Sequence, residues 1–426
     1  MRTEYQLRPY QQAGVEELLS KLTANKAHGA LLADAPGLGK TSQAIEVANR
    51  LAEGSKGPNF TVLIVCPASL RLNWERELAM WTRLINGASF LHEAQTYGEI
   101  VRKKQQRGQY DLIIFDESHY LKNPDAKRTK ACLALVSDYK LFLTGTPCVN
   151  RPMEMYPVLK TLGLKMSRVQ YGIRFCNGRL ISVPIRGGHS KRKAWDFTGH
   201  SHEDELNKAL RSSVMVRRTK EEVLKELPKK IRQVIAMDFK SGESKAFKDR
   251  FASLSLAADI LEEAGKTPFT ELAKERYNVA MAKLPYVLDF INDLLEEEDK
   301  IVVFAHHRDV INAIVEGGEN RVALVGGMTE KQKDAAVQAF QNGPARVFVG
   351  QIVAAGTGLT LTAARTVVFA ELSWVPGEVS QAEDRLHRIG QKDTVRVFHL
   401  VAEGSIDARI VRSIVDKQQV IEEIMA

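Results

Sequence analysis

At 426 residues with 44% hydrophobic content, the chain is too long for one ordinary core and fits two or three domains with a sizeable interior. Sixty Lys+Arg against 52 Asp+Glu leave a net charge of +8 and a pI near 9.1, a balance that favours a polyanionic partner such as nucleic acid. Four scattered cysteines without CxxC spacing exclude a disulfide framework or a zinc site, and a polar start with no run of about eighteen apolar residues excludes a secretory signal and a membrane span, so the chain reads as intracellular.

Short apolar runs alternate with amphipathic stretches through the first part of the chain. Residues 29–33, 61–66, 112–115 and 141–144 are predicted strands, and 42–51 and 70–81 are helical. Such alternation builds strand–helix units and a parallel sheet. Residues 152–290 lack it. They carry helical patterns, basic clusters and a turn-rich stretch at 183–199, and read as helical protrusions with an interlobe connector near 228–232. Charge concentrates here, with 18 Lys/Arg against 7 Asp/Glu over residues 160–235, while the rest of the chain is slightly acidic.

A second alternating series follows, with strands at 301–305, 321–324, 346–349, 366–369 and 395–400. Thr329 and Gln332 form a capping box that opens a helix running to Phe340. The acidic run 296–299 reads as a solvated helix end. The expected fold is α/β, with two RecA-like parallel-sheet lobes in tandem: 1–232 with a basic protrusion over about 152–225, and 233–426 with a protrusion over about 238–295.

The chemistry begins at Asp34-Ala35-Pro36-Gly37-Leu38-Gly39-Lys40-Thr41, which follows an apolar run and precedes a helical pattern. Gly37 and Gly39 let backbone N–H groups and the helix N-terminus face an anion. Lys40 is placed to reach the β- and γ-phosphates of ATP, and the Thr41 hydroxyl to ligate Mg²⁺. Asp34 stands where the strict phosphate-loop pattern has glycine. An apolar strand at 112–115 runs into Asp116 and Glu117, the complementary half: Asp116 for the metal, Glu117 for the attacking water. Arg385 and Arg388, three apart and expected on one helix face, supply positive charge for the transition state. The alternative for that segment is a surface helix in which Arg385 pairs with Glu383 or Asp384.

In order and spacing, residues 7–11, 34–41, 116–119, 143–147, 356–360 and 381–391 resemble the motif set of superfamily 2 helicases of the Swi/Snf type, over almost the whole chain. Residues 195–199, 303–307, 369–374 and 381–391 resemble the HARP-type annealing-helicase branch. The resemblance implies that Asp34 marks this branch, that Gln11, with Arg8 in the same motif, reads the adenine edge, that His119 couples the acids to 144–147, and that Gly358 lies near the ribose. Val375 departs from the family's Asn before Pro376. With six residues ahead of Leu7 and few after the last lobe, the accessory domains of that branch are not expected in this sequence, and reannealing is not carried over.

A translocating motor grips phosphates without regard to sequence. The first-lobe candidates are Ser69, which is equally placed to cap the next helix, and Arg71. The basic cluster Arg217, Arg218 and Lys220 is a further candidate, and Lys191 to Lys193 reads as a clamp or a loop. In the second lobe the family argument adds His306, His307, Thr329 and Thr360. No aromatic platform for single strands is evident. The expected function is a monomeric ATPase translocating on double-stranded or forked DNA. The alternatives are a strand-separating DNA or RNA helicase, a nucleotide-gated DNA-binding scaffold, and an AAA-type ATPase. The compact size points to a bacterial or phage source.

Overall fold

The computed structural model describes residues 6–24, 27–55, 59–83, 90–102, 110–148, 151–184, 191–224, 226–237, 269–355, 359–373, 375–402, 405, 407 and 411. Gly358 and residues 238–268 of the second expected protrusion lie outside the described residues. Two compact units emerge, one from 1–179 with 195–226, the other from 180–194 with 227–419.

The first unit contains α1 (Pro9–Ala24), β1 (Gly29–Leu32), α2 (Lys40–Gly54), β2 (Thr61–Cys66), α3 (Arg71–Trp81), β3 (Leu91–Thr96), α4 (Tyr97–Arg102), β4 (Tyr110–Asp116), α5 (Lys127–Leu133) and β5 (Ser137–Leu143). A helical insert follows, with α6 (Tyr156–Thr161), α7 (Arg168–Phe175) and α8 (Glu203–Ser213); between α7 and α8 run the hairpin strands β6 (Arg179–Pro184) and β7 (Lys191–Asp196), most of which group with the second unit. The chain returns to the sheet at β8 (Met215–Val216) and leaves through α9 (Lys220–Val223). The six strands run parallel in the order β3-β2-β4-β5-β1-β8. Leu31, Leu63, Ile113 and Phe142 pack on one face, and Leu32, Ile64, Ile114 and Leu141 on the other. Both faces are covered, which is why the central strands read as continuous apolar runs.

The second unit holds β9 (Lys230–Met237), α10 (Phe269–Glu297), β10 (Ile301–Ala305), α11 (Arg308–Glu316), β11 (Arg321–Leu324), α12 (Glu330–Gln341), β12 (Val347–Gln351), α13 (Ile352–Ala355), β13 (Thr366–Phe369), α14 (Pro376–Glu383) and β14 (Val395–Ala402). Its six strands are also parallel, ordered β11-β12-β10-β13-β14-β9. Two parallel-sheet lobes in tandem are thus the architecture of the molecule.

Three expectations change. The connector at 228–232 enters β9, an edge strand paired with β14 from Lys230 onward, so the second unit starts near 227 and the boundary at 232 falls inside a strand. Part of the turn-rich stretch 183–199 is β7 of the hairpin. Glu298, in the acidic run, is 5% exposed and pairs with Arg365 and Arg396, so it ties the starts of β13 and β14 to the end of α10 instead of lying in solvent. Among the described residues no helix is long and apolar enough to cross a membrane.

Candidate nucleotide site and nucleic-acid contacts

The chemistry-bearing loops of the first unit all follow the C-terminal ends of its parallel strands, where open α/β sheets hold their ligands. β1 leads into the loop 34–39, and α2 starts at Lys40 with Gly39 as its N-cap. Gly37 and Gly39 have φ of 87° and 76°, a region that costs a side chain strain and glycine nothing. A Cβ on Gly39 would also lie 2.2 Å from the Gln11 amide nitrogen. No acid lies in the first turn of α2, so its positive end is left for an anion. Lys40 Nζ donates to the carbonyls of Asp34 (2.8 Å) and Ala35 (3.4 Å), and Thr41 is half-buried.

α1 closes one side of this loop. Gln11 Nε2 and the Tyr10 hydroxyl both donate to Leu38 O, at 3.0 and 3.1 Å, and Gln11 Oε1 accepts from Arg8 N at 2.8 Å. Gln11 is buried, whereas the Arg8 side chain is exposed. On the other side Gly145 approaches so closely that a Cβ there would sit 2.6 Å from Pro36 and 3.3 Å from Lys40 Nζ.

Asp116 ends β4, buried, and its carboxylate accepts from Trp74 Nε1 (2.8 Å) and from Glu117 N (2.9 Å). Burial first, then the neighbouring Glu117 charge, hold this carboxyl above the usual carboxylate range, and the Lys40 charge pulls the other way. Glu117 stands at φ 50° and ψ 51°, a left-handed conformation uncommon outside glycine. His119 Nδ1 lies 3.2 Å from Glu117 Oε2 and 3.2 Å from Thr144 Oγ1, and Thr144 Oγ1 accepts from Thr146 N. His119 thus stands between Glu117 and the hydrogen-bonded residues 144–146, beside the Lys40 loop. Trp74 was not foreseen as part of this site, because its partner is 42 residues away.

In the second unit the expected single helix carrying both arginines does not form. α14 ends at Glu383, and the chain continues in turns. Arg385 O is taken by Leu361 N and Leu386 O by Gln391 Nε2, which removes those carbonyls from a helical ladder. Both guanidiniums still converge, Arg388 Nη1 at 3.0 Å and Arg385 Nη1 at 3.5 Å from Leu359 O. The nearby acids are engaged elsewhere: Glu383 with Lys230 and Arg232, Asp384 with Lys230. Val375 is the N-cap of α14 without a side-chain cap. Ser373 Oγ accepts from Val375 N at 3.2 Å and donates to Glu378, so a hydroxyl two residues upstream satisfies the turn where the family has Asn.

The nucleic-acid candidates fall into two groups. Ser69 is half-buried in a short 3-10 turn, and the N-cap of α3 is Leu70 instead. Arg71 pairs with Glu99 at 3.1 Å but keeps 39% of its side chain exposed. Thr329 caps α12 with the expected box, and Thr360 is exposed. Glu371 accepts from the backbone of His306 and His307 and from His307 Nδ1 at 2.6 Å, which fixes this pair after β10. Burial and the Arg276 charge bring His306 down to about 4.

Arg217, Arg218 and Lys220, expected to contact nucleic acid, are instead engaged within the first unit. Arg217 donates to Ala33 O, Arg218 to Asp34 and Gln43, and Lys220 is 5% exposed. The two arginines follow strand β8 and turn inward beside β1, where backbone carbonyls, the Gln43 amide and a buried carboxylate take up their donors. Arg192 and Lys193, on β7, are exposed.

A glycine-rich phosphate loop after β1, an acid pair at the end of β4 and a second parallel-sheet lobe define a helicase-type ATPase. The SNF2-related domain model matches residues 10–115 and 94–282, and the helicase conserved C-terminal domain model matches 282–390. The chain belongs to the SNF2-related family. It is 33% identical over 95% of its length to the human DNA annealing helicase and endonuclease ZRANB3, of which it covers 39%. To the Xenopus laevis SWI/SNF-related matrix-associated actin-dependent regulator of chromatin subfamily A-like protein 1 it is 34% identical over 94% of its length, covering 42% of that protein. The chain therefore spans about two fifths of the length of these two relatives. The Sulfolobus solfataricus SWI2/SNF2 ATPase core in complex with dsDNA is similar at 25% identity, over 100% of this chain and 94% of that one, with a TM-score of 0.45. The expected bacterial or phage source is corrected by relatives from Homo sapiens, Bos taurus, Xenopus, Drosophila melanogaster and Caenorhabditis elegans.

Proposed function

We propose that this chain is a DNA-dependent ATPase that moves along double-stranded DNA. The observation that carries the reading is the convergence of the Lys40 loop with Asp116 and Glu117, joined through His119 to Thr144. In this reading Lys40 and the N-terminus of α2 hold the phosphates, Gln11 and Arg8 border the base, and Glu117 takes the proton of the attacking water while His119 keeps it aimed. An oxygen donor set of a buried carboxylate and a hydroxyl, with the carboxylate of Glu117 next in the chain, fits a hard divalent cation, so Asp116 and Thr41 would hold Mg²⁺. When bound, that metal neutralises phosphate oxygens and orients them for in-line attack.

Arg385 and Arg388 belong to the second lobe, so their charge at the γ-phosphate would make hydrolysis depend on lobe closure. Ser69 and Arg71 in one lobe, and His306, Thr329 and Thr360 in the other, would hold duplex phosphates in alternation. The exposure of Arg71 and Thr360 and the fixed His306–His307 turn support that role. The inward donors of Arg217 and Arg218 remove them from this set. The names of the relatives favour DNA as the polymer. Their annealing and nuclease activities belong to proteins more than twice as long and are not carried over.

Turnover measured with duplex, forked DNA, single strands and RNA, beside triplex-displacement and strand-displacement assays, tests the proposal. Stimulation by duplex with triplex displacement is expected. Unwinding without triplex displacement, or stimulation by RNA alone, overturns it.

A further inference from the structure

The side chain of Asp34 is fully buried at the first position of the phosphate loop, and one residue from the far end of the lobe's sequence surrounds it. Arg218 gives its backbone N–H to Asp34 Oδ1 (2.9 Å), its Nε to Oδ1 (3.0 Å) and its Nη2 to Oδ2 (2.7 Å). The same Nη2 reaches Gln43 Oε1 at 2.7 Å, and Gln43 Nε2 closes the triangle on Asp34 Oδ2 at 3.0 Å. Nη1 donates to Tyr10 O, with the guanidinium 5.6 Å from that ring. The carbonyl of Arg218 accepts from Ala35 N at 3.0 Å, which carries the β1–β8 ladder into the phosphate loop. A Cβ on Gly14 would lie 2.0 Å from Nη2, so α1 passes the guanidinium at a point where no other residue fits without displacement.

One arginine therefore touches the first two residues of the loop, the helix that follows it and the helix that carries Gln11. Loop geometry decides where N–H groups point, and a misplacement of an ångström in such a cradle costs binding and rate. We infer that Arg218 is a positioning residue for the nucleotide: it sets the conformation of residues 34–39 and the approach of Gln11, and through them the affinity for ATP. It rests on the reading of 34–41 as the phosphate site. Arg218 is also where the chain leaves the first sheet toward α9, so the loop is fastened to the exit of its own lobe.

The test compares Arg218→Lys, which keeps the charge but loses the fork, with Asp34→Asn/Arg218→Gln, which removes both charges together and avoids a lone buried ion. Binding of a fluorescent ATP analogue, KM and kcat with duplex, and the melting temperature without nucleotide are measured, with Lys40→Ala as control. Nucleotide Kd and KM are expected to rise about 10- to 100-fold in both variants while kcat at saturating ATP changes less than about threefold. A lowered melting temperature with Kd and KM unchanged in either variant would make Arg218 a structural brace and overturn the inference. If Lys40→Ala itself leaves nucleotide binding intact, the phosphate-site reading fails first; if it abolishes binding while the Arg218 variants bind normally, the inference alone falls.

Discussion

Glu117 holds a backbone conformation that a non-glycine residue adopts at some cost, with φ of 50°, at the residue assigned to activate water. Replacing it with Gln keeps size and the His119 contact while removing the base. Glu117→Gln should bind ATP as the wild type does and lose about 10²- to 10⁴-fold in kcat. Equal turnover in a duplex-stimulated assay would move the base elsewhere. Trp74 permits a second test, since its indole N–H is a donor to the buried Asp116 carboxylate. Trp74→Phe should raise the Mg²⁺ concentration for half-maximal turnover by about tenfold with the fold retained, as loss of an outer partner of a ligand does. Asp116 and Glu117 were legible because an apolar strand runs straight into two acids. Trp74 was not, and Arg218 was read as a phosphate contact instead of the partner of Asp34, because each meets its partner across a long stretch of chain. A sequence clue existed for one of them: an acid directly after a buried strand, as at Asp34, needs a cation from somewhere.

At the scale of elements, the central strands were readable because both faces of each sheet are covered. β3 and β9 were not. Their burial is partial, their faces polar, and Leu-His-Glu-Ala-Gln-Thr or Lys-Ile-Arg-Gln looks like connector when pairing is on one edge. The arginine segment was misjudged as helix for a related reason: spacing of three is satisfied equally by turns when other backbone groups claim the ladder. The Thr329–Gln332 box was legible because it needs only residues three apart, whereas the boxes at Ser167–Gln170 and Thr219–Glu222 went unread and Ser69 does not cap α3. Thr329→Ala should destabilise the second unit by about 1 kcal/mol in urea unfolding, with Gln332 left without its reciprocal partner. A change below about 0.2 kcal/mol would show that the box contributes little there.

For the whole molecule, acid and salt act on different parts. Burial brings His399 down to about 4 against the charge of Glu383, and His306 to about 4 as well. In the folded second unit both are neutral where the unfolded chain, with a histidine near 6.5, binds protons. Their contribution is complete above about pH 6.5 and is lost as pH falls toward about 4. Glu371 and Glu383, held below the ordinary carboxylate range against burial by hydrogen bonds and ion pairs, lose theirs at still lower pH. The melting temperature of the second unit should therefore drop between pH 7 and 5, and His399→Phe should flatten the slope. An unchanged slope in that variant would remove His399 as the cause. Salt should act on the polymer instead: the DNA concentration for half-maximal ATPase is expected to rise steeply with ionic strength, by about one power of salt per phosphate neutralised. A flat response would count against phosphate gripping.

Glu383 is held between Lys230 and Arg232, and His387 Nε2 lies 2.7 Å from Pro228 O. The strand that brings the chain into the second sheet and the segment bearing Arg385 and Arg388 are consequently bolted into one piece. A displacement of the polypeptide at Lys230 therefore has a direct set of contacts through which to reach the segment of those guanidiniums.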